Sequence, residues 1–198
     1  MKRSTFFSYV IPLFLALMVA ACGQTTCVTF DPLAVGTIYG STAGNVPGDL
    51  IFTENTVPVH VVDFQSPSGP AFYQCVVEPA AALAPPFGSG NIMNTNNIAL
   101  EFIFTGLPYT VQTATFIYAD LGGSEYIQAN GVVATQFVGD LATLVPPYVL
   151  APGIVIAQNI TTPRPGGVSG VLIIEGNVDQ LHIGGQEFYI DNVCAAEN

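Results

Sequence analysis

The sequence predicts an all-β fold, a sandwich or a barrel, for most of its 198 residues. Short apolar runs recur about every dozen residues between turn-forming residues, which is typical of antiparallel β-domains. The chain contains 20 Gly and 15 Pro, a content that argues against long helices. Its length suits one β-domain, and no internal repeat or composition change indicates a second one.

Eleven strands are predicted from these runs. The clearest is 98–105, in which Ile98, Leu100 and Phe102 alternate with the polar residue Glu101. Such alternation is typical of a strand with one buried face and one exposed face. The predicted strands, in chain order, are 27–31, 49–53, 57–64, 71–77, 98–105, 112–119, 126–134, 148–157, 170–175, 178–183 and 187–193.

Glycines predict the tightest turns between these strands. Gly184 and Gly185 are expected to form a two-residue hairpin turn, because both central positions can adopt positive φ. The run 121–124 (Leu-Gly-Gly-Ser) predicts a second hairpin. The longest loop is expected at 79–97, rich in Ala, Pro, Gly and Asn, with one helical turn at 80–83.

The first residues predict export. A basic start at Lys2 and Arg3 precedes an apolar run, 6–21, which is short for the roughly 20 residues that cross a bilayer. Residues 1–21 are therefore interpreted as a signal peptide. The alternative is an ordinary signal peptide that is cut at Ala20-Ala21, in which case Cys22 has no special role.

Residues 19–23 (Val-Ala-Ala-Cys-Gly) resemble the lipobox of bacterial lipoproteins. This resemblance implies cleavage before Cys22, acylation of that cysteine and stable anchoring in a membrane. Residues 22–26 would form a short tether, and 27–195 the β-domain. Gly23, rather than Asp, after the cysteine is similar to the pattern of lipoproteins sent to the outer membrane or cell surface.

The charge distribution excludes one class of partner. Beyond residue 21 the chain has one basic residue, Arg164, against 14 acidic residues, a net charge of −13. Nucleic acid is excluded as a partner, because phosphate binding depends on Lys and Arg. The same charge disfavours anionic substrates and anionic membrane surfaces, although a lipid anchor needs no basic patch.

The two ends of the predicted domain resemble a known fold family. Segments 27–31 (Cys-Val-Thr-Phe-Asp) and 188–194 (Phe-Tyr-Ile-Asp-Asn-Val-Cys) resemble the ends of jelly-roll carbohydrate-binding modules and galactose-binding-domain-like proteins. Segment 30–39 is also similar to the start of a group of uncharacterised secreted bacterial proteins. The resemblance implies a jelly-roll-like antiparallel β-sandwich with its first and last strands adjacent.

Adjacent antiparallel end strands would place Cys27 opposite Cys194, and this pairing is the favoured disulfide. With Cys22 acylated, Cys75 is the third remaining cysteine, so three single pairings are open. Cys27–Cys75 is the main rival. The remaining thiol is interpreted as a buried apolar group rather than a nucleophile.

The resemblance also implies a structural calcium ion between Asp31 and Asp191. No cofactor is expected to be required, and calcium is the one possible cofactor. Calcium takes six to eight oxygen ligands. Thr29 stands where many calcium-binding relatives carry a second acidic residue. The alternative is a pair of solvated acids at a sheet edge.

No catalytic motif is found, so the protein is interpreted as a non-enzyme. His60 and His182 lack zinc-ligand spacing and are expected to be half-buried polar residues. Residues 167–171 (Gly-Val-Ser-Gly-Val) lack the last glycine of a nucleophile elbow. The strands carry enough acidic residues for the catalytic pair of a glycosidase, but their spacing does not single out any such pair.

Sugar binding requires flat aromatic rings beside hydrogen-bonding side chains. Tyr39, Tyr109 and Tyr126 are the candidate rings, and Asn94 and Asn96 are the candidate polar partners. The chain has no Trp, which is the strongest stacking ring.

The sequence and its resemblance therefore predict a non-catalytic surface binding or adhesion module, with glycan as the leading ligand class. The alternative is a structural envelope protein that self-associates or packs against a protein partner, with 144–150 as its contact segment. A small glycoside-active enzyme is the third and least favoured interpretation.

Overall fold

The computed structural model describes residues 23–197, which form 17 β-strands and four one-turn 3₁₀ helices. Residues 1–21 and Cys22, the predicted signal peptide and lipidation site, lie outside the described residues. Among the helices of the described part, none is long and apolar enough to span a membrane. The 3₁₀ helices are Ser41–Ala43, Ala80–Ala82, Val133–Thr135 and Leu141–Thr143.

The strands are short in the first part of the chain and longer towards its end. In chain order they are β1 (Thr25–Val28), β2 (Ile38–Gly40), β3 (Leu50–Glu54), β4 (Val57–Val62), β5 (Phe64–Ser66), β6 (Gly69–Ala71), β7 (Gln74–Pro79), β8 (Asn91–Asn96), β9 (Ile98–Ile103), β10 (Thr113–Asp120), β11 (Glu125–Ala129), β12 (Phe137–Gly139), β13 (Tyr148–Ala151), β14 (Ile154–Arg164), β15 (Gly167–Glu175), β16 (Gln180–Gly185) and β17 (Phe188–Ala196).

The strands form two antiparallel sheets and a small ribbon. Sheet I has the order β13-β14-β15-β10-β17-β8-β7-β2, with β1 also paired to β17. Sheet II has the order β12-β11-β16-β9-β4-β3, and β5 pairs with β6 in the ribbon. The predicted fold class, an all-β antiparallel sandwich of jelly-roll type with adjacent first and last strands, is confirmed.

The core lies between the inner faces of the two sheets. The predicted alternation in β9 is confirmed, because Leu100 and Phe102 are fully buried whereas Glu101 is half-buried on the other face. The ring of Phe30 packs edge-on to Phe102, with ring centroids 6.5 Å apart. Apolar area of this kind, removed from water, is the main stabilising contribution to such a fold.

The pairing of β1 with β17 brings the two end segments together. Cys27 lies directly opposite Cys194, and the two form a disulfide. The rival pairing with Cys75 does not form, because Cys75 is a free, buried thiol on β7. Burial raises the pKa of Cys75 to about 12, so its thiol is neutral and behaves as an apolar core group.

Both glycine-based hairpin predictions are wrong. The connection 121–124 joins β10 of sheet I to β11 of sheet II, and the connection after β16 leads from sheet II back to β17 in sheet I. Gly184 and Gly185 lie within β16 itself. A Cβ atom on Gly184 would lie 2.3 Å from the Ile98 carbonyl oxygen. Close packing, rather than a turn, therefore requires glycine at this position.

Several other predicted boundaries differ from the structure. The predicted strand 126–134 ends at Ala129, in β11. The predicted strand 148–157 is a hairpin, β13 and β14, that turns at Gly153 with φ +76°. The predicted loop 79–97 is shorter, because 91–96 form β8 between β7 and β17. Ladder hydrogen bonds on both sides stabilise this Asn-rich strand despite its low strand propensity. The predicted helical turn near residue 80 is confirmed as a 3₁₀ helix.

The folded region also extends slightly beyond 27–195. β1 begins at Thr25, within the predicted tether 22–26, and β17 ends at Ala196. The backbone N–H of Glu197 donates to the Gln24 carbonyl oxygen at 2.9 Å. The ladder between the two ends thus continues past the disulfide.

Candidate functional site

A cluster of polar side chains lies on the outer face of sheet I, and we call Asn94, Tyr189 and Glu78 the Asn94 cluster. Asn94 pairs in register with Tyr189 on β17. The Asn94 Nδ2 atom donates to Glu78 Oε1 at 2.8 Å and to Tyr189 Oη at 3.2 Å. All three side chains are half-buried, so they are held in place yet accessible.

The alternation of β17 directs Tyr189 outward. Its neighbours Phe188 and Ile190 are fully buried in the core, and successive side chains of a strand point to opposite faces. Tyr189 packs against a small buried cluster of apolar residues that includes Phe87 and Ile92. Phe87 belongs to the loop 80–90, which lies over the outer face of sheet I and bounds the cluster on one side.

Asn96 extends the same face towards the end of the sandwich. It lies two positions beyond Asn94 on β8, and its Oδ1 atom accepts a hydrogen bond from Asn97 Nδ2 at 2.7 Å. A depression of about 330 Å³ adjoins this position. Its lining residues are Asn96, Asn97, Gly122, Gly123, Gln186 and Glu187.

Charged groups surround the Tyr189 hydroxyl. Burial raises its pKa, the charges of Glu78 and Glu187 act in the same direction, and the charge of Arg164 lowers it. The hydroxyl is therefore protonated at neutral pH and can donate a hydrogen bond. Arg164 itself is fixed, because its Nη2 atom donates to the Pro85 carbonyl oxygen at 2.8 Å.

The predicted sugar-binding tyrosines lie away from this face. Tyr39 packs against Phe52 with ring centroids 6.1 Å apart. The Tyr109 hydroxyl lies 2.9 Å from the Ala195 carbonyl oxygen. Tyr126 is almost fully buried on the outer face of sheet II.

Among the predicted ligand residues, Asn94 and Asn96 share one face of β8. The prediction missed Tyr189, although the sequence carried a signal for it. Phe188 and Ile190 alternate around it, and this pattern predicts an outward tyrosine on the last strand.

Asp31 and Asp191, the predicted calcium ligands, both contact the loop 88–91. The Asn91 N–H donates to Asp31 Oδ1 at 2.8 Å, and the Ser89 N–H donates to Asp191 Oδ2 at 3.0 Å. A Cβ atom on Gly90 would lie 1.9 Å from Asp31 Oδ1. The loop backbone therefore packs directly on the two carboxylates.

These carboxylates are largely satisfied by N–H donors. Asp191 also accepts from the Asn192 N–H, at 2.7 Å on Oδ1. Burial raises the pKa of Asp191 to about 6, and the charges of Asp31 and Glu54 act in the same direction. Three of the four carboxylate oxygens therefore accept hydrogen bonds from N–H donors, two of which belong to the loop. A calcium ion between Asp31 and Asp191 stays a prediction.

Both histidines lie on the outer face of sheet II and are half-buried, as predicted. Glu101 pairs with His60 on one side and His182 on the other. His182 Nε2 lies 3.1 Å from Glu101 Oε1, and its Nδ1 lies 3.3 Å from the Tyr126 hydroxyl. Burial lowers the pKa of His182, while Glu101 opposes the shift. A neutral imidazole fits this network, donating to Glu101 and accepting from Tyr126.

No protein-family model matches the chain, and no curated protein matches it significantly. The geometry of the described residues is therefore the basis for a functional proposal.

Proposed function

We propose that the protein is a non-catalytic surface module that binds a neutral glycan at the Asn94 cluster and the adjoining depression. The observation that carries this proposal is the combination of an accessible aromatic ring, Tyr189, with an amide and a carboxylate on one sheet face. Sugars present apolar ring faces and hydroxyl groups, and these groups match such a combination.

The cluster has hydrogen-bonding capacity left for a ligand. Asn94 Oδ1 and Glu78 Oε2 accept no hydrogen bond from the described residues, and Asn96 Nδ2 donates none to them. Two acceptors and one donor thus lie along the outer face of neighbouring strands, which are about 4.8 Å apart. Sugar hydroxyls both donate and accept, so they can satisfy all three groups.

The charge of the chain favours neutral over acidic sugars. Glu78 and Glu187 lie near the Tyr189 hydroxyl, and beyond residue 21 the chain carries a single basic residue. A sugar carboxylate or sulfate would be repelled at this face. The ligand class is therefore a neutral polysaccharide or oligosaccharide.

The proposal predicts selective binding on a glycan array. We expect the full-length chain, purified in detergent, to bind a neutral glycan. Tyr189→Ala removes the ring and its hydroxyl, whereas Tyr189→Phe removes the hydroxyl alone. Because one hydrogen bond of about 1.4 kcal/mol corresponds to tenfold in affinity, we expect about tenfold weaker binding for Tyr189→Phe. A larger loss is expected for Tyr189→Ala.

Asn94→Ala is also expected to weaken glycan binding, because it removes the amide of the cluster, and Asn177→Ala is its matched control. Asn177 is exposed and lies before β16, far along the chain from β8, so this variant should bind like the wild type. Binding that survives both Tyr189→Ala and Asn94→Ala would place the ligand elsewhere. No binding to any glycan would contradict the proposal.

We also propose that the protein is exported and anchored to a bacterial membrane through acylated Cys22, at the outer membrane or cell surface. The support is the basic start, the apolar run 6–21 and the lipobox-like residues 19–23. In cells fed a labelled fatty acid, we expect the wild type to carry label and fractionate with membranes. Cys22→Ser should lose both properties, whereas Cys75→Ser should keep them. A mature chain without acyl groups would show that an ordinary signal peptide is removed instead.

An envelope protein that packs against copies of itself is the second candidate. One specific observation favours it: β13 is an edge strand of sheet I, and Val145 and Val149 beside or within it are 80% and 54% exposed. Unpaired edges with apolar side chains can pair with another chain. Leu144 and Leu150 of the predicted contact segment are buried and serve the core instead. Concentration-dependent association without glycan binding would favour this candidate.

A further inference from the structure

Three acidic side chains meet where the chain crosses between the sheets. Asp120 is the last residue of β10, Glu125 is the first residue of β11, and Asp140 directly follows β12. One carboxylate oxygen from each lies within 4.8 Å of those of the other two. Among the described residues, this is the one group of three or more potential metal-ligating side chains at such distances.

Glu125 provides an independent indication of a bound group. Its side chain is fully buried. The Oε2 atom accepts the Leu141 N–H at 3.2 Å, whereas the Oε1 atom has no hydrogen-bond partner among the described residues. Buried polar atoms are almost always satisfied, because an unsatisfied one is costly. The unpartnered oxygen belongs to a side chain that is directed into the acidic group.

The other two carboxylates are fixed by backbone donors but keep one oxygen each. The Gly122 N–H donates to Asp120 Oδ1 at 2.9 Å, and the Ala142 N–H donates to Asp140 Oδ1 at 2.7 Å. Neither Oδ2 atom accepts a hydrogen bond from a described backbone N–H. The three side chains are thus positioned before any ligand binds.

No positive charge balances the three acids within the described residues. Among the described residues, His182 and Glu101 are the one basic and acidic pair within ion-pair distance, and Arg164 donates to the Pro85 carbonyl oxygen. Three carboxylate side chains this close together repel one another when they are ionised. The field at this point therefore favours a positive charge.

We propose that Asp120, Glu125 and Asp140 bind one divalent cation of the calcium class. All three ligands are carboxylates, which suit Ca²⁺, whereas zinc prefers nitrogen and sulfur ligands. Calcium also tolerates irregular geometry better than magnesium. Asp140 is exposed, so water can complete the coordination. The cation would link the ends of strands from both sheets through the connection 121–124.

The test uses the full-length chain in detergent after treatment with EDTA. Titration calorimetry with CaCl₂, and separately with MgCl₂, should show one Ca²⁺ bound per chain and weaker Mg²⁺ binding. Ca²⁺ should raise the melting temperature. Glu125→Gln should abolish binding. Asp140→Asn should weaken it at least tenfold and still fold, because Asp140 is exposed and an asparagine Oδ1 can accept the same backbone N–H.

Two further variants locate the ion. Asp179→Asn, at an exposed aspartate whose side chain makes no hydrogen bond to a described residue, should bind Ca²⁺ like the wild type. Asp31→Asn should also retain binding, which separates this site from the predicted one at Asp31 and Asp191. The proposal is overturned if wild type binds neither ion at millimolar concentration, or if Asp140→Asn binds as tightly as wild type. It is also overturned if the wild type binds no ion and Glu125→Gln melts at a higher temperature than the wild type. The three acids would then share protons rather than a cation.

Discussion

Removal of the Cys27–Cys194 disulfide is expected to lower the free energy of unfolding by about 5 kcal/mol in the chain-entropy model. The two residues are 167 positions apart, so the bridge closes nearly the whole domain and restricts the unfolded chain strongly. For a domain of this size the loss corresponds to a melting temperature lower by about 10–20 °C. The measurement is thermal unfolding with and without reductant, and of the double variant Cys27→Ala, Cys194→Ala.

The control for this prediction is Cys75→Ala. Cys75 is a free, fully buried thiol, so this variant removes a cysteine without removing a bridge. We expect it to keep the full sensitivity to reductant, whereas the double variant should show none. Peptide mapping without reduction should recover one linked pair, Cys27 with Cys194. A Cys27–Cys75 peptide, or an unfolding midpoint that reductant leaves unchanged, would contradict the structure.

The sequence was sufficient to predict this bridge because the evidence for it is local to the two ends. Alternation in 188–194 predicts a strand, and its resemblance to a closing jelly-roll strand implies that β1 is its neighbour. Antiparallel pairing then sets the register of Cys27 against Cys194. The same argument places Asp31 and Asp191 near one another, and both contact the loop 88–91.

Glycine was the least reliable guide to topology. The Gly184–Gly185 pair has the composition of a hairpin turn, yet Gly184 serves close packing of β16 against β9, and Gly185 packs against Phe188 and Glu125. A Cβ atom on Gly184 would also lie 2.5 Å from Ala99 Cα. Sequence alone does not distinguish a glycine needed for positive φ from one needed for space.

The candidate site was only partly predictable for a similar reason. Asn94 and Asn96 stand out by composition, but their strand, β8, depends on a partner distant in the sequence, β17, as well as on the preceding strand, β7. The group formed by Asp120, Glu125 and Asp140 gives no sequence motif, because its members come from the ends of strands in two sheets.

Glu54→Ala is expected to destabilise the fold by about 4 kcal/mol, since hydrogen bonds to a charged group contribute about 1.5–3 kcal/mol each and their loss leaves donors unpaired. Glu54 ends β3 and is 8% exposed. Its Oε1 atom accepts from the Thr29 N–H at 3.0 Å and from the Thr29 hydroxyl at 2.8 Å. Its Oε2 atom accepts from the Phe30 N–H at 3.1 Å.

These bonds fix the chain where it leaves β1. Phe30 has φ +64°, a region that a phenylalanine rarely adopts, while its ring is fully buried against Phe52 and Phe102. Glu54 therefore stabilises a strained backbone that places a core ring, and its loss should loosen both the ring and the adjacent Asp31.

Chemical denaturation measures the effect of Glu54→Ala on the free energy of unfolding. Glu175→Ala, at an exposed acid on β15, is the control and should change stability by less than about 0.5 kcal/mol. Glu54→Gln keeps the shape of the side chain, but its NH₂ group would face a backbone N–H donor. We therefore expect a loss of stability between those of Glu54→Ala and the control. If Glu54→Ala matched the control, the hydrogen bonds from Thr29 and Phe30 would not be what holds Phe30 in the core.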